Sequence, residues 1–417
     1  MIIKNYKQLA ISKERKDALN ILNYGIEAVL IEKSVKEQIK LKKNILTIQN
    51  LTWDLSKYKR IFVVGAGKAS IDLASSLEKV LGNRIIKGIV IDTRIKKLKK
   101  IIVKKGTHPL PSQDNIKATK EIVKILNEAD KDDLVIILIS GGGSALLSYP
   151  RIKLNDLIKL NKALLSSGAT IHEINIVRKH LSFIKGGQLA QLAQPAELIT
   201  LIVSDVMGNN LDVIASGPTV LDKTTNKRAE RILKKYNISK QTFTETPKDK
   251  LTNVTNILLI TNKLAAKAMK EKAIKLGYKA KILSTNLTGE AKTIGKLLAK
   301  KSKKGICYIA TGETTVKVKG NGKGGRNQEV ALSALSKIKD SLVLSCGSDG
   351  VDFIEDAAGG IVDEETIKLA NKKNLNNEEY RKNNDAYNFL SKTNSIIKTG
   401  KTGTNVGDLM IALGDKK

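Results

Sequence analysis

The sequence predicts two α/β domains, the first built on a doubly wound, mostly parallel sheet. Three observations carry this. Apolar runs of strand length alternate with amphipathic helical stretches, the order that builds βαβ units. The run 134–139 is apolar at every position, as in a strand covered on both faces. A polar, turn-rich stretch at 237–253, with Pro247 inside it, interrupts the alternation before it restarts. That interruption sets the domains at 1–240 and 250–417.

Each element has its own signal. The stretch 11–50 carries apolar residues at helical spacing (Ala18, Leu19, Leu22, Ile26, Val29, Leu30) and reads as one or two helices. Residues 60–64 are a short apolar strand that runs into a glycine turn and a helix over 69–81. A strand at 86–91, a helix at 116–129, the covered strand at 134–139 and a helix at 154–167 follow. A strand at 198–203 and a helix at 224–236 complete this first, Rossmann-like domain. The second domain runs strand 254–260, helix 263–276, strand 279–283, helix 288–301 and strand 306–310. A β-rich passage at 314–318, helix 328–337, strand 342–345 and helix 364–373 complete it.

Composition narrows the function classes. Hydrophobic residues make up 41% of the 417, which excludes a disordered chain. No apolar run approaches the ~20 residues a membrane helix needs, and the N-terminus lacks a signal-peptide core. The net charge of +32 invites a nucleic-acid partner. However, the positive residues are mostly dispersed lysines rather than the arginine forks that read bases, and aromatics are only 4%. The expectation is a lysine-rich surface with no nucleic-acid or membrane partner, attractive to small polyanions. Cys307 and Cys346 lie in apolar stretches and read as buried free thiols of a cytoplasmic protein. No Cys or His pair has zinc-ligand spacing. A homodimer is the base-rate expectation.

Five glycine-rich loops carry the chemistry. The first, Gly65-Ala66-Gly67-Lys68-Ala69-Ser70, joins a strand to a helix N-terminus. A lysine there is awkward beside the helix dipole unless an anion binds, so Lys68 is an anion-binding candidate; the blander reading is a tight turn with a solvated lysine. Ser70 replaces the third glycine of a dinucleotide fingerprint, although Asp92 at the end of the next strand resembles a ribose-binding acid. The second loop, Ser140-Gly141-Gly142-Gly143-Ser144, offers exposed backbone N–H groups after the covered strand. The third, Ser204-Asp205-Val206 with Ser216-Gly217-Pro218-Thr219 after it, sets an acid at a strand end. The fourth, Gly324-Gly325-Arg326-Asn327, sets an arginine among glycines before a helix. The fifth, Ser348-Asp349-Gly350-Val351-Asp352, suits a hydrated Mg²⁺. For all three acids the plain alternative is a turn or helix cap. Anion loops, two cations and strand-end acids are the parts that phosphoryl transfer needs.

These segments occur in order with Thr107-His108-Pro109-Leu110-Pro111, Ile174-Asn175-Ile176-Val177-Arg178-Lys179-His180 and Lys185-Gly186-Gly187. Gly312-Glu313-Thr314-Thr315 and Thr402-Gly403-Thr404-Asn405-Val406 extend the series. Over residues 60 to the C-terminus the set resembles the glycerate 2-kinases that carry a MOFRL C-terminal domain. The resemblance implies ATP-dependent phosphorylation of D-glycerate at its 2-hydroxyl, with Mg²⁺ or another divalent cation. It also implies a smaller, mixed-sheet, MOFRL-type second domain and an active site in the interdomain cleft. Carried over residue by residue, it makes Lys68, Arg326 and Asp205 catalytic. It makes Gly65, Gly67, His108, Ser140, Gly141, Gly142, Gly143, Ser144, Asn175, Arg178, Ser204, Gly325 and Asn327 binding residues, and Asp349 and Asp352 metal ligands.

The sequence departs from the family in two places. Where members continue Pro-Gly-Asp-Asp after Ser204-Asp205-Val206, this chain has Met207-Gly208-Asn209-Asn210, so two negative charges are missing. Near the C-terminus it has Lys401 and Gly407 in place of proline and asparagine. His172 and His180 fall in helical stretches and read as structural, whereas Arg178 could face a ligand or an internal acid. The rival activity is an NAD(P)H-dependent reductase of hydroxypyruvate type.

Overall fold

The computed structural model describes residues 1–416. Its backbone forms two compact units: residues 34–259, and residues 1–33 together with the chain from 260 onward.

The unit 34–259 opens with a three-stranded antiparallel sheet, β1 (Ile39–Lys42), β2 (Ile45–Ile48) and β3 (Leu51–Asp54). Within 11–50, helices Lys13–Ala28 and Ile31–Gln38 form as expected. The remainder is hairpin, because Lys43 and Gln49 adopt positive φ and reverse the chain. The main sheet holds β4 (Arg60–Ala66), β5 (Ile85–Asp92), β6 (Ile101–Lys105), β7 (Asp133–Ile139), β8 (Glu197–Val203) and β9 (Val254–Ile260). Their order is β6-β5-β4-β7-β8-β9. The pairs β4–β5, β4–β7, β5–β6 and β7–β8 are all parallel. Counted from β4, this is the 3-2-1-4-5-6 order of doubly wound dinucleotide folds. Every residue of β7 is buried. Val64, Ile89, Ile137 and Leu198 pack with Ile122 and Leu126 of helix Gln113–Glu128 on one face of the sheet, and helix Ser70–Leu81 also contacts β7.

The domain boundary expected at 240–250 is displaced. β9 is an edge strand of this first sheet and does not start the second domain. The turn-rich stretch before it is a pinned loop: Thr244 N–H donates to His180 O at 3.1 Å, the Thr246 hydroxyl to Asp222 at 3.1 Å, and Leu198 N–H to Asn253 O at 2.8 Å. Composition marks such a loop as it marks a linker; only its partners tell them apart.

The other unit carries a mixed sheet of β10 (Lys279–Glu290), β11 (Ile306–Thr315), β12 (Ser341–Gly347), β13 (Gly359–Val362), β14 (Ile396–Ile397) and β15 (Asp408–Gly414), in the order β10-β11-β15-β12-β13-β14. β10 and β11 are parallel and the remaining neighbours antiparallel. The chain's first 33 residues belong here. The Arg15 side chain on helix Lys13–Ala28 is buried and grips Asp363 at two distances of 2.7 Å. Asp363 in turn caps helix Glu364–Lys372 by accepting Thr366 N–H at 3.0 Å. Cys307 and Cys346 are free and buried. Among the described residues, no helix is long and apolar enough to cross a membrane.

Candidate active site

In a doubly wound sheet, ligands bind beyond the carboxyl ends of the strands where the strand order reverses. Here that point lies between β4 and β7, and both strands end in glycine turns. The two turns are laced together: Lys68 N–H donates to Gly141 O (2.9 Å), Ser140 N–H to Ala66 O (3.3 Å) and Ala69 N–H to the Ser140 hydroxyl (3.1 Å). Ser140 therefore helps to hold the turn. Gly65 is a packing glycine, since a Cβ there would lie 2.4 Å from Leu138 O in the neighbouring strand. Gly67 is tight for a similar reason, 2.0 Å from the Ser140 hydroxyl.

Gly141 and Gly142 bring three titratable side chains to one spot. A Cβ on Gly141 would sit 2.2 Å from Asp205 Oδ2. Gly142, at φ +82°, would set its Cβ 3.0 Å from the His108 ring and 3.3 Å from Lys68 Cγ. Only glycine allows both that backbone conformation and that approach. Lys68 is exposed, and no ion pair holds it among the described residues. Partial burial and then the Lys68 charge pull His108 below its ordinary value, against Asp205. Burial raises Asp205, with Lys68 and His108 opposing. The lowered value of His108 favours its neutral ring.

Beside this spot lies a cavity of about 270 Å³ lined by His108, Gly141, Gly142, Gly143, Ser144 and Asp205. Asn175, Arg178, Asn161 and Lys185 form more of its wall. Arg178 donates through Nε to Asn161 Oδ1 at 2.7 Å, so it takes an amide and not the internal acid that was its alternative. The Ser216 hydroxyl donates to Asn175 Oδ1 at 3.0 Å and lies 3.1 Å from the Ser144 hydroxyl. Ala215, Ser216 and Gly217 all have positive φ. Consecutive residues in that region are strained, a feature that clusters at ligand sites. The Ser204 hydroxyl accepts Val206 N–H at 3.3 Å within its own turn. His180 is structural, its ring nitrogens meeting Ile176 O at 2.9 Å and Glu245 at 3.3 Å.

The other unit gathers Arg326, Asn327, Asp349 and Asp352. Arg326 Nε donates to Asp408 at 2.9 Å, and Nη1 lies 3.2 Å from Glu313. Burial works against its charge, but Asp408 and Glu313 more than offset this and raise its pKa. Asn327 is not a ligand-facing residue: it is buried, donates to Asp408 Oδ1 at 2.8 Å and accepts the Ser345 hydroxyl at 2.6 Å. Gly325 is the cap residue of helix Arg326–Ala334, pressed against Asp352. Asp352 accepts Asn327 N–H at 3.1 Å on Oδ1 and Gln328 N–H at 2.9 Å on Oδ2, so it braces the helix start. That use of both oxygens does not fit a metal ligand. Among the described residues, the Asp349 carboxylate accepts Val351 N–H at 3.1 Å, on Oδ1, and burial raises its pKa. Among the described residues, no group of three or more His, Cys, Asp or Glu is arranged to hold a metal ion.

The residues that sequence reasoning missed are Asn161, Lys185, Glu313 and Asp408. Three of them lie within or beside segments that carry the family resemblance, so a signal existed. What the sequence lacked was a reason to separate them from the many lysines and acids elsewhere.

Comparison with known proteins agrees with this architecture. A family model described as a domain of unknown function, DUF4147, matches residues 17–248, and the MOFRL family model matches 306–408. The D-glycerate 2-kinase of Thermotoga maritima is 39% identical, with 96% of this chain and 98% of that protein covered. The glycerate 2-kinase of Pyrococcus horikoshii is 38% identical, with 97% and 98% covered. A crystal structure of glycerate kinase from Thermotoga maritima superposes with a TM-score of 0.87 at 38% identity, covering 95% of this chain and 98% of that one. With both family models in sequence order and whole-length relatives on either side, the chain belongs to the glycerate 2-kinase family with a MOFRL module.

Proposed function

We propose that this protein is a kinase that transfers the γ-phosphoryl group of ATP to the 2-hydroxyl of D-glycerate, giving 2-phosphoglycerate and ADP. The observation that carries the reading is the meeting of Lys68, His108 and Asp205 over two laced glycine turns at the sheet's switch point. In this reading the hydroxyl oxygen forms the new P–O bond as the bond to the ADP oxygen breaks, and the hydroxyl proton passes to Asp205. A secondary alcohol has a high pKa, so Asp205 chiefly orients it until transfer is advanced. Lys68 and turn N–H groups meet the charge on the transferring phosphoryl oxygens. Arg326, held by Asp408 and Glu313, is the second proposed catalytic cation. A divalent cation brought with the nucleotide would neutralise phosphate charge; Asp349 suits it, with Oδ2 clear of other side-chain and backbone donors among the described residues, and Asp352 does not. The buried free thiols favour a cytoplasmic setting, and a homodimer remains the base-rate proposal.

The reductase alternative is disfavoured by Asp92. This acid is buried, accepts Ile71 N–H at 3.2 Å and pairs with Arg94 at 3.2 Å, leaving no grip for a ribose. The deciding assay couples ADP release to D-glycerate, beside NADH oxidation with hydroxypyruvate. ADP release is expected, with the product accepted by a coupling enzyme specific for 2-phosphoglycerate. Reductase activity without kinase activity would overturn the reading.

Gly141→Ala tests Asp205 within it. The added methyl meets the movable tip of that side chain and not backbone. Turnover is expected to fall at least about tenfold, with stability lowered by roughly 1–3 kcal/mol. A kcat unchanged in the folded variant would remove Asp205 from the reaction.

A further inference from the structure

One wall of the cavity carries two cations and no acid to balance them. Lys185 is buried, and its amine donates to Ser144 O at 2.8 Å and Leu147 O at 3.1 Å. Both are carbonyls, which supply no charge, and one ammonium N–H has no acceptor among the described residues. Arg178 uses Nε on Asn161, and its Nη groups have no partner among the described residues. Neither residue has a carboxylate within ion-pair distance there. Burial, then the nearby Arg178 charge, lowers Lys185 to about 7, and burial lowers Arg178 as well. A buried ammonium and a half-buried guanidinium close together without a counterion are costly enough that apolar residues of similar volume would be more stable. Their presence is accounted for by an anion that arrives with the ligand.

We infer that Arg178 and Lys185 form a two-cation seat for one small oxyanion, the carboxylate of the acceptor acid. The seat rests on the kinase reading above and gives it the residues that would hold the acceptor's carboxylate. Three features favour a carboxylate over nucleotide phosphates. A volume of about 270 Å³ suits a three-carbon acid, not a triphosphate. The planar guanidinium matches a carboxylate in a forked grip. Leu157, Leu181, Val213 and Ile214 line the same cavity and suit a short carbon chain better than a polyanion. Asn175, with its Oδ1 occupied by Ser216, keeps its amide N–H₂ for the acceptor's hydroxyl. The other titratable side chains lining the cavity are His108, Tyr149 and Asp205.

The test uses full-length Arg178→Lys and Lys185→Met, with thermal melts to establish that each folds. Steady-state kinetics in both substrates and calorimetric titration with D-glycerate, lactate and glycerol provide the readouts. The KM for D-glycerate is expected to rise roughly 10- to 100-fold in each variant, with the KM for ATP within about twofold. D-Glycerate and lactate are expected to bind the wild type, and glycerol, lacking the carboxylate, not to bind. Binding needs the ammonium form of Lys185, so the wild-type KM for glycerate should climb above pH 7, approaching tenfold per unit. That climb should vanish in Lys185→Met, a change that a merely structural lysine would not produce. If the KM for ATP moves instead, the seat holds a nucleotide phosphate and the assignment to the acceptor is overturned. Unchanged kinetics in both folded variants would overturn the seat itself. Carboxylate binding that depends on both residues, in a protein without kinase turnover, would leave the seat standing and sink the kinase reading.

Discussion

Lys68→Ala is expected to lower kcat by roughly 10²–10³, as loss of one preorganised donor to developing charge does elsewhere, while the melting temperature stays near that of the wild type. The side chain is exposed and no ion pair holds it among the described residues, so its removal leaves no buried partner behind. Its backbone bond to Gly141 O survives the substitution, and with it the lacing of the two turns. Because the methylene stem flanks His108 across Gly142, Lys68→Met separates charge from packing. If alanine and methionine are equally impaired, the charge acts; if methionine restores turnover, Lys68 only props His108. Arg326 offers no such clean test. Its loss would leave Asp408, fully buried, without its cation beside Asp352 and Asp349. A loss of activity there would mix catalysis with unfolding.

The glycine turns and their strands were legible because each signal is local. A strand, a glycine turn and a helix start occupy about a dozen residues, and β4, β7 and β8 end within two residues of the expected positions. β6 was missed because its apolar core, Ile101, Ile102 and Val103, lies between lysine runs, and edge strands with charged flanks read as loops. β15 is central to its sheet, yet it follows a glycine-rich loop and pairs with β11 and β12, far away in sequence. Lys185 was hidden for a different reason. Nothing in composition distinguishes one buried lysine from the many solvated ones, and its significance depends on the absence of an ion-paired acid around it among the described residues. Asp352 shows the converse error: an acid two residues beyond a glycine looks like a metal ligand, and only its partners identify it as a helix brace.

The domain assignment turns on Arg15, and Arg15→Ala tests it. The guanidinium meets both oxygens of Asp363 and the Thr366 hydroxyl at 2.7 Å. Truncation leaves the carboxylate buried without its cation, a change that destabilises by about 3–5 kcal/mol. For a unit of this size that corresponds to a melting shift of roughly 6–20 °C, read by calorimetry. Burial disfavours the Asp363 charge, but Arg15 and Thr366 more than offset this and hold its pKa below 3.8. In the wild type its contribution is therefore full above that value and is lost as pH falls below it. Without Arg15, burial acts unopposed by the cation, the carboxyl pKa moves up, and acid unfolding begins at higher pH. Hydrogen exchange locates the effect. Protection should fall in helices Lys13–Ala28 and Glu364–Lys372, which the pair joins, while β4 and β7 keep theirs. If instead β4 and β7 open and Glu364–Lys372 does not, the first 33 residues stabilise the doubly wound unit, as the turn-rich boundary alone suggests. The outcome expected here follows from a buried ion pair 348 residues apart in sequence, which no local pattern of composition can register.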